Sequence, residues 1–205
     1  MNAPAPILVL GIGNLLWADE GFGVRCVEAL AAQWTFPEHV QVVDGGTQGL
    51  YLLPQVEATS RLLVFDAIDW GLPAGTLQVI EGEDVPRFMG AKKMSLHQTG
   101  FQEVIACADL RGKCPQELVL IGVQPVELED FGGSLREPVR AQVQPALELA
   151  LARLRAWGVV PQPRAAEDRT GLFDQSLALD AYETGRPSEA EACRVGDVRF
   201  LGGEG

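Results

Sequence analysis

Five short apolar segments are the feature of this 205-residue chain that most constrains its fold. Several of them are continuous rather than alternating, which is typical of strands buried on both faces of a parallel sheet. These segments are Ile7–Leu10, Val40–Val43, Leu62–Phe65, Thr76–Ile80 and Leu118–Val123. A sheet buried on both faces needs a layer of helices on each side.

Helical patterns lie between and after these strands. They predict helices at Phe22–Trp34, at Ser95–Leu110 with Ser95 as the N-cap, and at Leu135–Trp157, the longest. Gly49–Val56 is a short helix at best, because Pro54 interrupts it. The alternation predicts an α/β protein, a three-layer α/β/α sandwich around a mostly parallel twisted sheet of about five strands.

The length suits one sizeable core and is too short for two typical domains. We expect residues 1–160 to form the α/β domain. After Val160 the chain becomes rich in proline, glycine and charge, with few periodic apolar residues. Residues 161–205 are therefore predicted to be an irregular or partly disordered extension that contributes to partner selection rather than to the core.

Charge and targeting signals narrow the possible partners. The formal net charge is −12 and basic residues form no stripe, so nucleic acid and anionic membranes are not expected partners. The amino terminus lacks a signal-peptide pattern, and no stretch approaches the roughly 18 apolar residues of a membrane helix. Four scattered cysteines without a C-x-x-C pair favour a reducing cytoplasm.

Polar residues collect where the predicted strands end. Asp19 and Glu20 lie in the glycine-rich loop "GIGNLLWADEGFG" after the first strand, and Asp44 begins "DGGT" after the second. Asp66 ends the third strand, and His97 follows the fourth in the first turn of a helix. Because ligands of parallel α/β sheets bind at the carboxyl ends of the strands, these residues are expected to converge.

Three of these residues also have a structural interpretation. Asp19 is a possible helix N-cap, Glu20 would favour the positive end of a helix dipole, and Asp66 could form a turn. Taken together, two carboxylates and one imidazole suit a divalent transition metal with open positions. Nucleotide binding is disfavoured, because Leu16 replaces the third glycine of the dinucleotide fingerprint and the acids would repel a pyrophosphate.

The successive motifs resemble those of the nickel–iron hydrogenase maturation proteases, which trim the C-terminus of the hydrogenase large subunit. The resemblance runs from Ile7 to Gly158 and rests on "LVLGIGNLLWADEGFG", "VDGGTQG", "FDAID" and "MSLHQTG". It implies that Glu20, Asp66 and His97 are metal ligands, and that the Asp44–Thr47 turn lies beside them. Trp17 departs from the family, many members of which have a smaller apolar residue there.

This resemblance implies an endopeptidase that removes a short C-terminal peptide from the nickel-loaded precursor of the large subunit. Nickel would be supplied by the substrate, as the recognition element, and other divalent cations are expected to substitute for it. The metal could polarise the scissile carbonyl or lower the pKa of its bound water. It could equally serve only for docking, with Asp19 or Asp44 as the general base of an aspartyl-like endopeptidase. The implied state is a cytoplasmic monomer that forms a transient heterodimer with its substrate.

A second function stays open at this point. The same residues would serve a non-catalytic docking module that senses a metal, or a nickel carrier for hydrogenase assembly. The mass of the large subunit separates the two, because only a protease shortens it.

Overall fold

The computed structural model describes residues 4–89, 96–165 and 179–185, except for the side chains of 87–89 and 96–100. Its strands are β1 (Ile7–Ile12), β2 (Trp34–Thr35), β3 (Val40–Gly46), β4 (Arg61–Ala67), β5 (Leu77–Glu81), β6 (Glu117–Val123) and β7 (Gln162–Pro163). Each of the five predicted strands is present and extends one to three residues beyond its apolar run. Polar ends such as Arg61 and Glu117 continue the hydrogen-bonded ladder although they carry no apolar signal.

Five of these strands form one sheet in the order β3-β1-β4-β6-β5. The pairs β1–β3, β1–β4 and β4–β6 are parallel, and only the edge strand β5 is antiparallel to its neighbour β6. This arrangement confirms the predicted α/β fold with a mostly parallel five-stranded sheet.

Helices cover both faces of the sheet. They are α1 (Phe22–Gln33), α2 (Leu53–Glu57), α3 (Asp84–Met89), α4 (Leu96–Leu110), α5 (Glu137–Arg140), α6 (Val143–Ala156) and α7 (Leu179–Gly185), with 3-10 turns at Ala18–Gly21 and Gly49–Leu52. Ser95, the predicted N-cap of α4, lies outside the described residues. As predicted, the Gly49–Val56 segment forms only short helical pieces, and Pro54 lies in the first turn of α2, where a proline is tolerated.

Alternate residues of each strand point to opposite helix layers, as the period of two requires. On one face Val9, Leu63 and Ile121 pack in a core cluster with α1, α5 and α6. On the other face Leu8, Leu62 and Leu120 pack with α2, α3 and α4. The continuous apolar runs are explained by these two separate cores.

The single long helix predicted over Leu135–Trp157 was wrong. The chain forms α5, turns at Ala141 and Gln142, and begins again as α6. Pro145 supplies the physical reason, because it lacks an amide donor and its ring would collide with the carbonyl of residue 141 in a continuous helix. The interruption shortens the element and makes it two helices.

Two described pieces of the 161–205 segment contact the domain. β7 pairs with β2, and the Arg164 amide donates to the Gln33 carbonyl at 2.8 Å. Further on, the Glu183 carboxylate of α7 accepts hydrogen bonds from Ser134 Oγ at 2.6 Å and from Arg140 Nη1 at 2.9 Å. The boundary at residue 160 stays a prediction.

No helix within the described residues is long and apolar enough to cross a membrane. Cys26, Cys107 and Cys114 carry free thiols, and burial raises the pKa of the Cys26 thiol well above its usual range. A buried, protonated thiol of this kind packs as a small apolar group.

Candidate active site

The order of the strands reverses at β1. β1 sits between β3 and β4, so the loops after β1, β3 and β4 leave the sheet beside one another at its carboxyl edge. Such a switch point is where open α/β sheets bind ligands. Glu20 follows β1, Asp44 lies near the end of β3, and Asp66 is the penultimate residue of β4.

Two glycines bring the loop after β1 close to the sheet. A Cβ at Gly13, whose φ is +134°, would lie 1.8 Å from the carbonyl oxygen of Glu20. A Cβ at Gly23 would lie 2.2 Å from the Phe65 carbonyl oxygen and 2.3 Å from that of Ile12. Only glycine fits at these positions, and the start of α1 is thereby held against the residue that precedes Asp66.

The 3-10 turn Ala18–Gly21 carries Glu20 and contacts β4. Ala18 begins it with φ +38°, a left-handed conformation that is unfavourable for alanine. Both Glu20 and Asp66 are buried, and Asp66 Oδ1 accepts a hydrogen bond from the adjacent Ala67 amide at 2.8 Å. Two buried carboxylates on neighbouring loops make this part of the sheet edge acidic and suited to a cation.

Asp44 lies one strand away, paired in register with Gly11. Its Oδ1 atom is buried and has no hydrogen-bond partner among the described residues. Burial raises the pKa of the Asp44 carboxyl, and the Gly46 amide only partly opposes that shift. A carboxylate that is poorly solvated and has an open oxygen is a better proton acceptor than an ordinary aspartate.

Asp19 has a different environment from Asp44. Its Oδ2 accepts hydrogen bonds from the amides of Val126 at 2.8 Å and Glu127 at 2.9 Å, and its Oδ1 accepts one from the Arg136 amide at 2.6 Å. The N-cap interpretation supposed that Asp19 caps an amide of α1. Its carboxylate instead holds the loop that follows β6. With both oxygens engaged, it is the weaker candidate for a general base.

His97 reaches this edge of the sheet by a route that the sequence did not predict. β5 is antiparallel, so its end lies at the amino edge, and the expectation that this strand delivers His97 to the carboxyl edge was wrong. α4 returns the chain instead. Its last residues are at the amino edge, where Arg111 pairs with Glu57 just before β4.

The position of the first turn of α4 relative to the sheet follows from the length of this helix. A 15-residue helix is about 22 Å long, similar to the length of a seven-residue strand, roughly 23 Å. The backbone of His97 consequently lies toward the carboxyl edge, and α4 contacts the Gly49–Leu52 turn that follows β3. Among the side chains described, which do not include His97, no three His, Cys, Asp or Glu groups are placed to hold a metal ion.

Gln124 is a site-building residue that the sequence analysis missed. Its Oε1 accepts hydrogen bonds from the amides of Trp70 and Leu72, and its Nε2 donates to Asp69 Oδ1 at 2.9 Å. It thereby fixes the loop after Asp66. A usable signal was present, because Gln124 directly follows an apolar strand, as Asp66 ends one.

Comparisons with known proteins agree with this fold. A family model of hydrogenase maturation proteases matches residues 24–153. The hydrogenase expression/formation protein HupD of Rhodobacter capsulatus is 60% identical over 97% of this chain and 94% of its own length. The hydrogenase 2 maturation protease of Escherichia coli is 42% identical over 78% of this chain and 97% of its own length.

A solved structure gives the same result. The hydrogenase maturating endopeptidase HybD from E. coli superposes with a TM-score of 0.74 at 41% identity, covering 78% of this chain and 98% of that one. The chain therefore belongs to the hydrogenase maturation protease family.

Proposed function

We propose that this protein is the endopeptidase that removes a short C-terminal peptide from the nickel-loaded precursor of a nickel–iron hydrogenase large subunit. The observation that carries the proposal is the placement of Glu20 and Asp66, both buried, on adjacent loops at the carboxyl edge of the sheet. Family membership supports the protease class. The two carboxylates support a cation as the group that is recognised.

Nickel belongs to the substrate in this proposal. Glu20, Asp66 and His97 act as additional ligands to the nickel held by the precursor, which docks the scissile bond beside Asp44. Carboxylate oxygens and an imidazole nitrogen are ordinary ligands for this metal. A precursor without nickel lacks the anchor, so processing reports that the metal has been inserted. Other divalent cations with the same ligand preference are expected to occupy the site in its place.

Asp44 is the proposed general base. A water molecule attacks the scissile carbonyl carbon and gives a proton to the Asp44 carboxylate. The carbon–nitrogen bond then breaks, and the departing amine takes up a proton. The open Oδ1 atom and the raised pKa of Asp44 favour it over Asp19, whose two oxygens already accept three backbone hydrogen bonds.

The complex is proposed to be a transient heterodimer of a monomeric protease and its precursor in the cytoplasm. Size-exclusion chromatography with light scattering measures this directly. A stable homodimer of the protease, or a complex that persists after processing, would contradict it.

The proposed ligands are tested by Glu20→Gln, Asp66→Asn and His97→Ala, each incubated with nickel-loaded precursor and followed by intact mass. All three variants are expected to fold and to leave the precursor uncut. Glu117→Gln is a matched control, because Glu117 accepts hydrogen bonds from Arg61 and Trp157 at the opposite edge of the sheet. Wild-type processing by any of the three site variants would overturn its assignment as a ligand, whereas wild-type protein that binds precursor tightly and never shortens it would favour a docking module.

A further inference from the structure

The loop that follows β6, residues 124–136, contacts both of the loops that carry the buried carboxylates. At its start, Gln124 is buried and hydrogen-bonds to the Asp69–Leu72 segment, three to six residues after Asp66. The Ile68 amide also donates to the Val123 carbonyl at 2.9 Å. The Asp66 loop is thus fixed to the end of β6.

Two residues later the same loop holds Asp19. The Val126 and Glu127 amides donate to its carboxylate, while the Asp19 amide donates to the Glu127 carbonyl at 3.1 Å. Asp19 is completely buried and directly precedes Glu20. Ala18, on its other side, has a left-handed backbone, and such a conformation persists only where surrounding contacts hold it.

The two attachments are separated by very little chain. Gln124 to Glu127 is four residues, which span at most about 14 Å when fully extended. Because one end of this segment is hydrogen-bonded to the buried Asp19, and the buried Gln124 at its other end holds the Asp69–Leu72 segment, its length sets how far apart the two attached loops can lie. Loosening either attachment would leave the other loop in place and change the separation.

We infer that Asp19 and Gln124 are positioning residues that set the separation of Glu20 and Asp66, with the Gln124–Glu127 segment as the spacer. The inference rests on the proposed function for the importance of those two carboxylates. Neither Asp19 nor Gln124 needs to touch the metal or the substrate. Asp19 acts through the turn that it shares with Glu20, and Gln124 acts through the loop after Asp66.

Asp19→Asn tests one attachment. The amide group has one oxygen where the carboxylate has two, so it cannot accept all three backbone hydrogen bonds, and its NH2 group meets an amide donor. With nickel-loaded precursor, kcat is expected to fall at least about tenfold, and KM is expected to rise because nickel anchors the precursor. The affinity of the full-length protein for nickel(II) alone, measured by calorimetry, is expected to fall about tenfold.

Gln124→Glu tests the attachment of the loop after Asp66. It also tests the inference by itself if Asp19→Asn does not fold. Glutamate keeps an acceptor for the Trp70 and Leu72 amides but places a carboxylate against Asp69, and should lower kcat and nickel affinity in the same way. Adding Asp69→Asn removes the repulsion between the two carboxylates and supplies a donor to the new one, but it loses the hydrogen bond that Asp69 Oδ1 accepts from the Gly71 amide. That double variant is therefore expected to recover part of both losses, which general destabilisation would not do.

Glu117→Gln again serves as the control, with circular dichroism used to match the folded fractions. Folded Asp19→Asn or Gln124→Glu with wild-type kcat and wild-type nickel affinity would overturn the inference. Losses no larger than those of Glu117→Gln, or no recovery by Asp69→Asn, would do the same. If wild-type protein does not process the precursor, the proposed function fails, and the nickel titrations alone decide whether these residues position the ligands.

Discussion

Gly23 lies against Phe65 so closely that a Cβ on the glycine would be 2.2 Å from the phenylalanine carbonyl oxygen. This contact joins the start of α1, just after Glu20, to the β4 residue that precedes Asp66. It is a contact between main-chain atoms, so no change of rotamer can relieve an added methyl group. The separation of the loops that carry Glu20 and Asp66 therefore also depends on Gly23, which has no side chain that could take part in a reaction.

Gly23→Ala is accordingly expected to be severely destabilising. The methyl group would force α1 away from both β1 and β4, at a cost of about 3 kcal/mol or more. Urea unfolding followed by circular dichroism measures the loss. Gly185→Ala is the matched control, since no heavy atom lies within 4 Å of its added Cβ and its φ is not left-handed. Equal stability of the two variants would contradict the close packing of α1 on the sheet.

Asp44→Asn is expected to separate stability from activity. Burial raises the pKa of Asp44, so the folded state is penalised for ionising it once the pH exceeds that raised value. The variant should therefore be more stable than wild type at pH 7, and the gain should vanish as the pH falls to about 3.9, the ordinary pKa of aspartate. Its processing rate should drop about 100-fold or more.

Unfolding free energies from pH 3 to 8, together with single-turnover processing, measure both effects. A variant that is less stable at neutral pH would show that the Asp44 carboxylate is stabilised rather than strained by its surroundings. Normal processing by that variant would remove Asp44 from the mechanism.

Glu183→Gln is expected to weaken the contact between α7 and the domain. The two carboxylate oxygens of Glu183 accept hydrogen bonds from Ser134 and from both terminal nitrogens of Arg140. Glutamine keeps the shape of the side chain but loses its charge and one of these two acceptor oxygens. Because this pair is partly exposed, the free energy of unfolding should fall by only about 1 kcal/mol. Glu148→Gln, on the exposed side of α6, is the control. Identical unfolding curves for the two variants would support the expectation that the extension adds nothing to the core.

The parts of the fold that the sequence predicted are those with local signals. Continuous apolar runs marked β1, β4 and β6, because burial on both faces leaves no polar position in a strand. Asp66 could be singled out because it directly follows such a run, and Glu20 because it lies in the glycine-rich loop after one. Pro145 was equally visible as a helix breaker, and overlooking it produced one long helix in place of α5 and α6.

Long-range relationships had no such signal. The partners of the Asp19 carboxylate lie 107 to 117 positions away, so the sequence could not distinguish a cap from a base. The direction of β5 is likewise set by its pairing with β6 and not by its own residues. Tertiary contacts decided both questions, and the local pattern was compatible with either answer.

The central claim is that nickel in the precursor is required for cleavage. Intact-mass spectrometry of large-subunit precursor, prepared with and without nickel and incubated with the wild-type protein, tests this most directly. We predict that only the nickel-loaded precursor loses the mass of its C-terminal peptide. Equal shortening of the nickel-free precursor, or an unchanged mass for the nickel-loaded one, would contradict the account.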